Sequence, residues 1–128
     1  MSDADASPEV RAVFDDIRAT RGTDFINNFW RALANDPALL AATWARLKLV
    51  MGPGELDPLV KEMLYIAVSV TNGCDYCITS HTAAARAKGM TAAQHGELLS
   101  VIAMASQTNA LATALQVPVD PEFLPEGT

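Results

Sequence analysis

The ten residues from Asn72 to His81 (NGCDYCITSH) hold both cysteines of the chain and one of its two histidines. The spacing Cys74-x-x-Cys77-x-x-x-His81 admits three chemistries. It can hold a metal, cycle between dithiol and disulfide, or place two small apolar side chains and a structural histidine on a buried helix face. On an α-helix, positions i, i+3 and i+7 fall in one narrow stripe. His81 lies roughly 6 Å along that stripe from Cys77 and about 10 Å from Cys74, so the imidazole reaches Cys77 alone. There it can take the thiol proton and hold the thiolate as an ion pair, which makes a cysteine nucleophilic at neutral pH. Cys74 opens the predicted helix, where unpaired N–H groups and the dipole favour a thiolate, with Asp75 pulling the other way. A bridge between the sulfurs needs local distortion of the first turn, because helical neighbours hold their Cβ atoms roughly 5–6 Å apart and a relaxed disulfide wants about 3.5–4.5 Å.

Glu62 is the next candidate. It shares a helix face with Leu59, Ile66 and Ser69. A carboxylate there either orients His81 and stabilises its protonated form, or points into solvent from near the helix amino end. Spacing leaves both readings open.

The elements that must position these residues read as helices throughout. Alanine, leucine and methionine abound and β-branched alternation is nearly absent. Ser7-Pro8 caps a helix with the stripe Val10, Val13, Phe14, Ile17, ended by Arg21-Gly22. A short second helix is expected over Phe25–Leu33. Asp36-Pro37 starts a third, running to Leu49 or Val50 with Leu40, Trp44, Leu47 and Val50 inward. Gly52-Pro53-Gly54 breaks it, and Asp57-Pro58 starts a fourth that is apolar nearly all round, the pattern of a central or interface helix. Asn72-Gly73 ends that helix, and the fifth runs from Cys74 to Lys88 with Gly89 as its stop. Thr91 and Gln94 have capping-box spacing, so a sixth helix is expected from Ala92 to about Leu115. The tail, 117–128, is Pro-rich and aperiodic. The expectation is an all-α, single-domain bundle of about six helices over residues 1–128, with the motif-bearing core at about 25–115.

Length and charge narrow the function. The 128 residues are 50% hydrophobic and suit one core. A formal charge of −6 gives no footprint for nucleic acid or an anionic membrane. No apolar run can span a bilayer, and the acidic start MSDADASPEV lacks the features of a signal peptide. A cytoplasmic protein is expected, and in a reducing compartment a Cys-x-x-Cys is more often a redox pair or half a metal site than a permanent staple.

Glu62, eleven intervening residues, then Cys74-x-x-Cys77-x-x-x-His81 resembles the core motif of the alkylhydroperoxidase D-like family, within the carboxymuconolactone decarboxylase superfamily. The similarity runs from about Asn27 (NNFWRALANDPALL) through KEMLYIAVSVTNGCDYCITSHTAAARAKGMT. The resemblance implies an all-α fold and reduction of organic hydroperoxides or hydrogen peroxide by a dithiol. In that scheme Cys77 is the peroxidatic thiol, Cys74 the resolving thiol, and Glu62 and His81 the proton relay. It implies homo-oligomers, trimers or hexamers, through helical interfaces; a dithiol protein or small thiol is the expected reductant, and no cofactor or metal is expected. One departure is Tyr76, where well-described members carry histidine before the second cysteine; tyrosine is no base at neutral pH. Decarboxylase members lack the cysteine pair, which disfavours lactone decarboxylation.

Other readings stay open. Dithiol–disulfide exchange with another protein, or redox sensing, would use the same residues. A non-enzymatic helical oligomer would leave the thiols idle. Zinc could take Cys74, Cys77 and His81 with His95 or an aspartate, although no second Cys-x-x-Cys exists and His95 lies just beyond a helix cap. Trp30 and Trp44 read as core or interface anchors, Met51, Met63, Met90 and Met104 as gap-fillers, and Arg86 and His95 as surface residues.

Overall fold

Five of the six helices, all but the short second one, begin where a side chain replaces a hydrogen bond that the first turn lacks. In the computed structural model, which describes residues 1–126, Ser7 Oγ accepts from Val10 N–H and Pro8 opens α1 (Pro8–Arg21), which ends at left-handed Gly22. Asp36 accepts from Leu39 N–H at the start of α3 (Pro37–Met51). Asp57 accepts from Leu59 N–H at the start of α4 (Pro58–Asn72). Between α1 and α3 lies the short α2 (Asn28–Leu33). The expected start at Phe25 is three residues early. Thr23 Oγ1 accepts from Phe25 N–H, which holds that stretch in a turn and leaves Phe25 67% exposed.

Backbone contacts divide the chain into two compact units, Met1–Glu55 and Leu56–Thr128, of which 127 and 128, the last two positions of the Pro-rich tail, lie outside the described residues. The first unit packs α1 on α3, with α2 against α3. Its core holds Val10, Phe14, Ile17, Trp30, Leu40 and Trp44, so both tryptophans are core anchors. Trp44 Nε1–H donates to Asp16 Oδ2 at 2.7 Å, which gives the buried indole its partner. The expected inner face of α3 holds at Leu40 and Trp44 but not at Val50, which is exposed on the last turn.

The second unit is built on α4 packed along α5 (Asp75–Ala87), with α6 (Ala92–Ala114) more lightly against α4. The expected capping box forms: Gln94 N–H donates to Thr91 Oγ1 and Thr91 N–H to Gln94 Oε1. Ile66, Ala85 and Met90 are the buried apolar centre, with Leu59, Met63, Val70, Leu98 and Ile102 around them. No residue of α6 is fully buried within the chain. One 3-10 turn, Pro121–Phe123, interrupts the tail. Among the described residues there are six α-helices and no strand, and no helix is long and apolar enough to cross a membrane.

Candidate active site

The site is assembled by the corner between α4 and α5. Gly73 takes a left-handed conformation (φ 68°) that a side chain would strain. Gly73 N–H then bonds to Val70 O and Cys74 N–H to Ser69 O, which closes α4 in a Schellman-type end. The chain reverses within two residues, so the first half of α4 faces the second half of α5.

Cys74 does not lie in the helix, as the sequence suggested; it is the N-cap of α5, with φ −91° and ψ 91°. Its Sγ accepts from Cys77 N–H at 3.2 Å, in the position where an aspartate or serine oxygen more often stands. A cap residue is not held to helical side-chain spacing. Cys74 and Cys77 are joined in a disulfide across a Cα separation of 5.3 Å. Both residues are half-buried. Cys77 and His81 follow at i and i+4 on α5, one turn apart.

Glu62, on α4, is turned inward and only 4% exposed; the solvent-facing alternative does not hold. Its Oε2 lies 2.7 Å from His81 Nδ1, nineteen residues along the chain. Burial is the largest single influence on the Glu62 carboxyl and pushes its pKa up. Hydrogen bonds from His81 and Lys88, with the Lys88 charge, together outweigh it and hold the group below its ordinary value. An ionised carboxylate only accepts, so Nδ1 carries the proton and Nε2 is the acceptor nitrogen of the neutral ring. The structure thus brings Glu62 and His81 into contact and places Cys77 one turn before His81, with Cys74 bonded to it.

Two residues of the arrangement were not singled out from the sequence. Lys88 Nζ donates to Glu62 Oε1 at 2.7 Å. Tyr65 stacks on the His81 ring, with centroids 3.7 Å apart and planes 20° from parallel. The signals were faint but present: Lys88, the C-cap of α5, follows His81 by seven residues, and Tyr65 follows Glu62 by three on α4. Thr82 Oγ1, beside His81 in sequence, is buried without a hydrogen-bond partner. Among the described residues no group of three or more His, Cys, Asp or Glu side chains is placed to hold a metal ion. An open apolar groove of about 250 Å³ lies elsewhere in this unit, between α4 and α6, and includes none of Glu62, Cys74, Cys77 and His81.

Known proteins resemble the chain at three levels. The pattern of the carboxymuconolactone decarboxylase family matches residues 37–120. A crystal structure of the alkylhydroperoxidase AhpD core from Rhodospirillum rubrum is 68% identical and superimposes with a TM-score of 0.91, over 93% of this chain and 88% of that one. The alkyl hydroperoxide reductase AhpD of Solibacter usitatus is 36% identical over 93 residues, 72% of this chain but 50% of its own. An uncharacterized protein of Cupriavidus necator is 32% identical over 82 residues, 64% of this chain and 73% of its own. The chain thus spans half the length of the Solibacter reductase.

Proposed function

The chain belongs to the carboxymuconolactone decarboxylase family, and from that membership we propose that it is a thiol-dependent peroxidase of the AhpD-like kind, running a Cys74/Cys77 dithiol–disulfide cycle. The observation that carries the reading is a bonded cysteine pair at the start of α5, one turn from a histidine whose Nδ1 is held by a buried carboxylate. The names of its relatives, alkylhydroperoxidase and alkyl hydroperoxide reductase, point the same way.

In the reduced protein, His81 Nε2 takes the proton of the Cys77 thiol while Glu62 stabilises the imidazolium. The Cys77 thiolate attacks the O–O bond of a hydroperoxide. An S–O bond forms, the O–O bond breaks, and the alkoxide leaves as the alcohol with the proton that His81 returns. Cys77 is now a sulfenic acid. The Cys74 sulfur attacks Cys77 Sγ, the S–S bond forms, and the sulfenic oxygen departs as water. An external dithiol then supplies two electrons and two protons, and both thiols return. The N-cap place of Cys74 supports its resolving role, because the Cys77 N–H and the helix dipole favour its thiolate. Tyr76 stands where other members place a second histidine, so His81 alone serves as the base.

Homo-oligomerisation is part of the proposal. Val60, Leu64 and Val68 form an exposed stripe on α4, and Val101, Met104 and Leu111 are exposed on α6. Apolar faces of this extent suit a helical interface with further copies. A monomeric mass by light scattering at micromolar concentration would remove that part.

The decisive test is to reduce the protein, remove the reductant, and add one equivalent of cumene hydroperoxide while following free thiols and intact mass. Rapid loss of both thiols with a two-hydrogen mass decrease, and release of cumyl alcohol, is the expected result. Thiols that persist would overturn the peroxidase reading.

A further inference from the structure

Glu62 has two partners, and the mechanism above uses one. Each carboxylate oxygen is committed to a different donor: Oε2 to His81 Nδ1 and Oε1 to the Lys88 Nζ ammonium, both at 2.7 Å. The Lys88 side chain is 37% exposed, while that of Glu62 is 5% exposed. Lys88 is the C-cap of α5, and its backbone N–H bonds to Ala84 O and Ala85 O, so the lysine leaves the helix from a fixed point. The carboxylate therefore cannot turn away from His81 without also breaking a charge-assisted bond to Lys88.

We propose that Lys88 is a positioning residue for the thiol chemistry: its ammonium pins Glu62 in register with His81 and offsets part of the carboxylate charge, so that Glu62 orients the imidazole without locking a proton onto it. The consequence for turnover rests on the peroxidase reading. The contact does not. A lone buried carboxylate in contact with an imidazole stabilises the imidazolium, and an imidazole already protonated cannot take the Cys77 proton. A cation on the opposite oxygen weakens that hold. The other groups around the pair are the Tyr65 ring stacked on His81 from α4, and Cys77 one turn earlier on α5. From α6, apolar Leu98 and Ile102 reach this unit's core.

The sign follows without assigning the shared proton to sulfur or nitrogen. Removing a nearby cation raises the proton affinity of thiol and imidazole alike, so the Cys77–His81 pair must give up its first proton at higher pH. A unit charge one carboxyl group away from the ring, in partly solvated surroundings, corresponds to a shift of about one pH unit.

The experiment uses the full chain with Cys74→Ser, which leaves Cys77 as the only thiol. The rate of Cys77 alkylation by iodoacetamide is measured from pH 5 to pH 10 in this background and with Lys88→Gln, Lys88→Ala or Lys88→Arg added. Far-UV circular dichroism confirms that each variant keeps its helix content. The expected result is an alkaline shift of the midpoint of about one unit for Lys88→Gln and Lys88→Ala, with Lys88→Arg close to the parent. An unchanged or acid-shifted midpoint in the two charge-free variants would overturn the proposal, as would Lys88→Arg shifting as far as Lys88→Gln. Peroxide consumption by the unsubstituted protein is read separately. Its absence removes the peroxidase reading, while the shift between variants still decides the role of Lys88.

Discussion

Replacing Glu62 with glutamine tests whether the buried carboxylate is held as an anion. Glu62→Gln keeps the shape but removes the charge: the one amide oxygen can still accept from His81 Nδ1–H or from Lys88, while the amide NH2 is left facing the other donor. A hydrogen bond to a charged group contributes about 1.5–3 kcal/mol and a neutral one about 0.5–1.5 kcal/mol. Two terms reduce the loss. Lys88 is 37% exposed and recovers water, and the cost of burying the carboxylate disappears. A net destabilisation of about 1–2 kcal/mol at pH 7 remains, since the bonds outweigh burial in setting the Glu62 titration. Because the folded carboxyl titrates below its unfolded value, the unfolded chain binds more protons in acid, and stability rises with pH across that window. The Glu62 contribution is complete above the unfolded value of about 4.3 and is lost as pH falls through the folded one. Urea unfolding of the oxidised protein, followed by circular dichroism at pH 7 and pH 3.5, should show a gap between the two proteins that narrows in acid. Asp3 and Asp16 also titrate low, but they are common to both proteins and cancel in the difference. A gap that is absent at pH 7, or that widens in acid, refutes the reasoning.

Cys77→Ser should abolish hydroperoxide turnover, whereas Cys74→Ser should stop at a sulfenic acid that dimedone traps by mass; full activity in the first variant would move the chemistry elsewhere. His81→Ala should slow thiol oxidation by about 10²–10⁴-fold at pH 7, and an unchanged pH–rate profile would take the histidine out of the relay. Ile66 is fully buried where α4 meets α5, so Ile66→Ala should cost about 2–5 kcal/mol in the same urea assay. A loss under about 1 kcal/mol would mean that this small core is not what holds α4 to α5.

The helix plan was legible because its signals are local. Ser7, Asp36, Asp57 and Thr91 cap neighbours within three residues, and Gly22 and Gly73 stop helices by their own backbone freedom. Where a local signal misleads, it misleads locally: apolar spacing places Phe25 in a helix although Thr23 ties it into a turn, and places Cys74 in a helix that it caps. The motif was legible for the same reason, since Cys77 and His81 share one helix and one face.

By itself, then, the sequence determined the six helices and the cysteine–histidine stripe. Only the tertiary structure decided whether Glu62 faced solvent or the interior, that His81 and Lys88 claim its two oxygens, and that Tyr65 covers the imidazole. Those contacts join residues nineteen and twenty-six positions apart, and they depend on the register in which α4 lies against α5. That register is set by the turn at Gly73 and by packing around Ile66 and Ala85, a balance of many weak contacts that leaves no short-range mark on the chain.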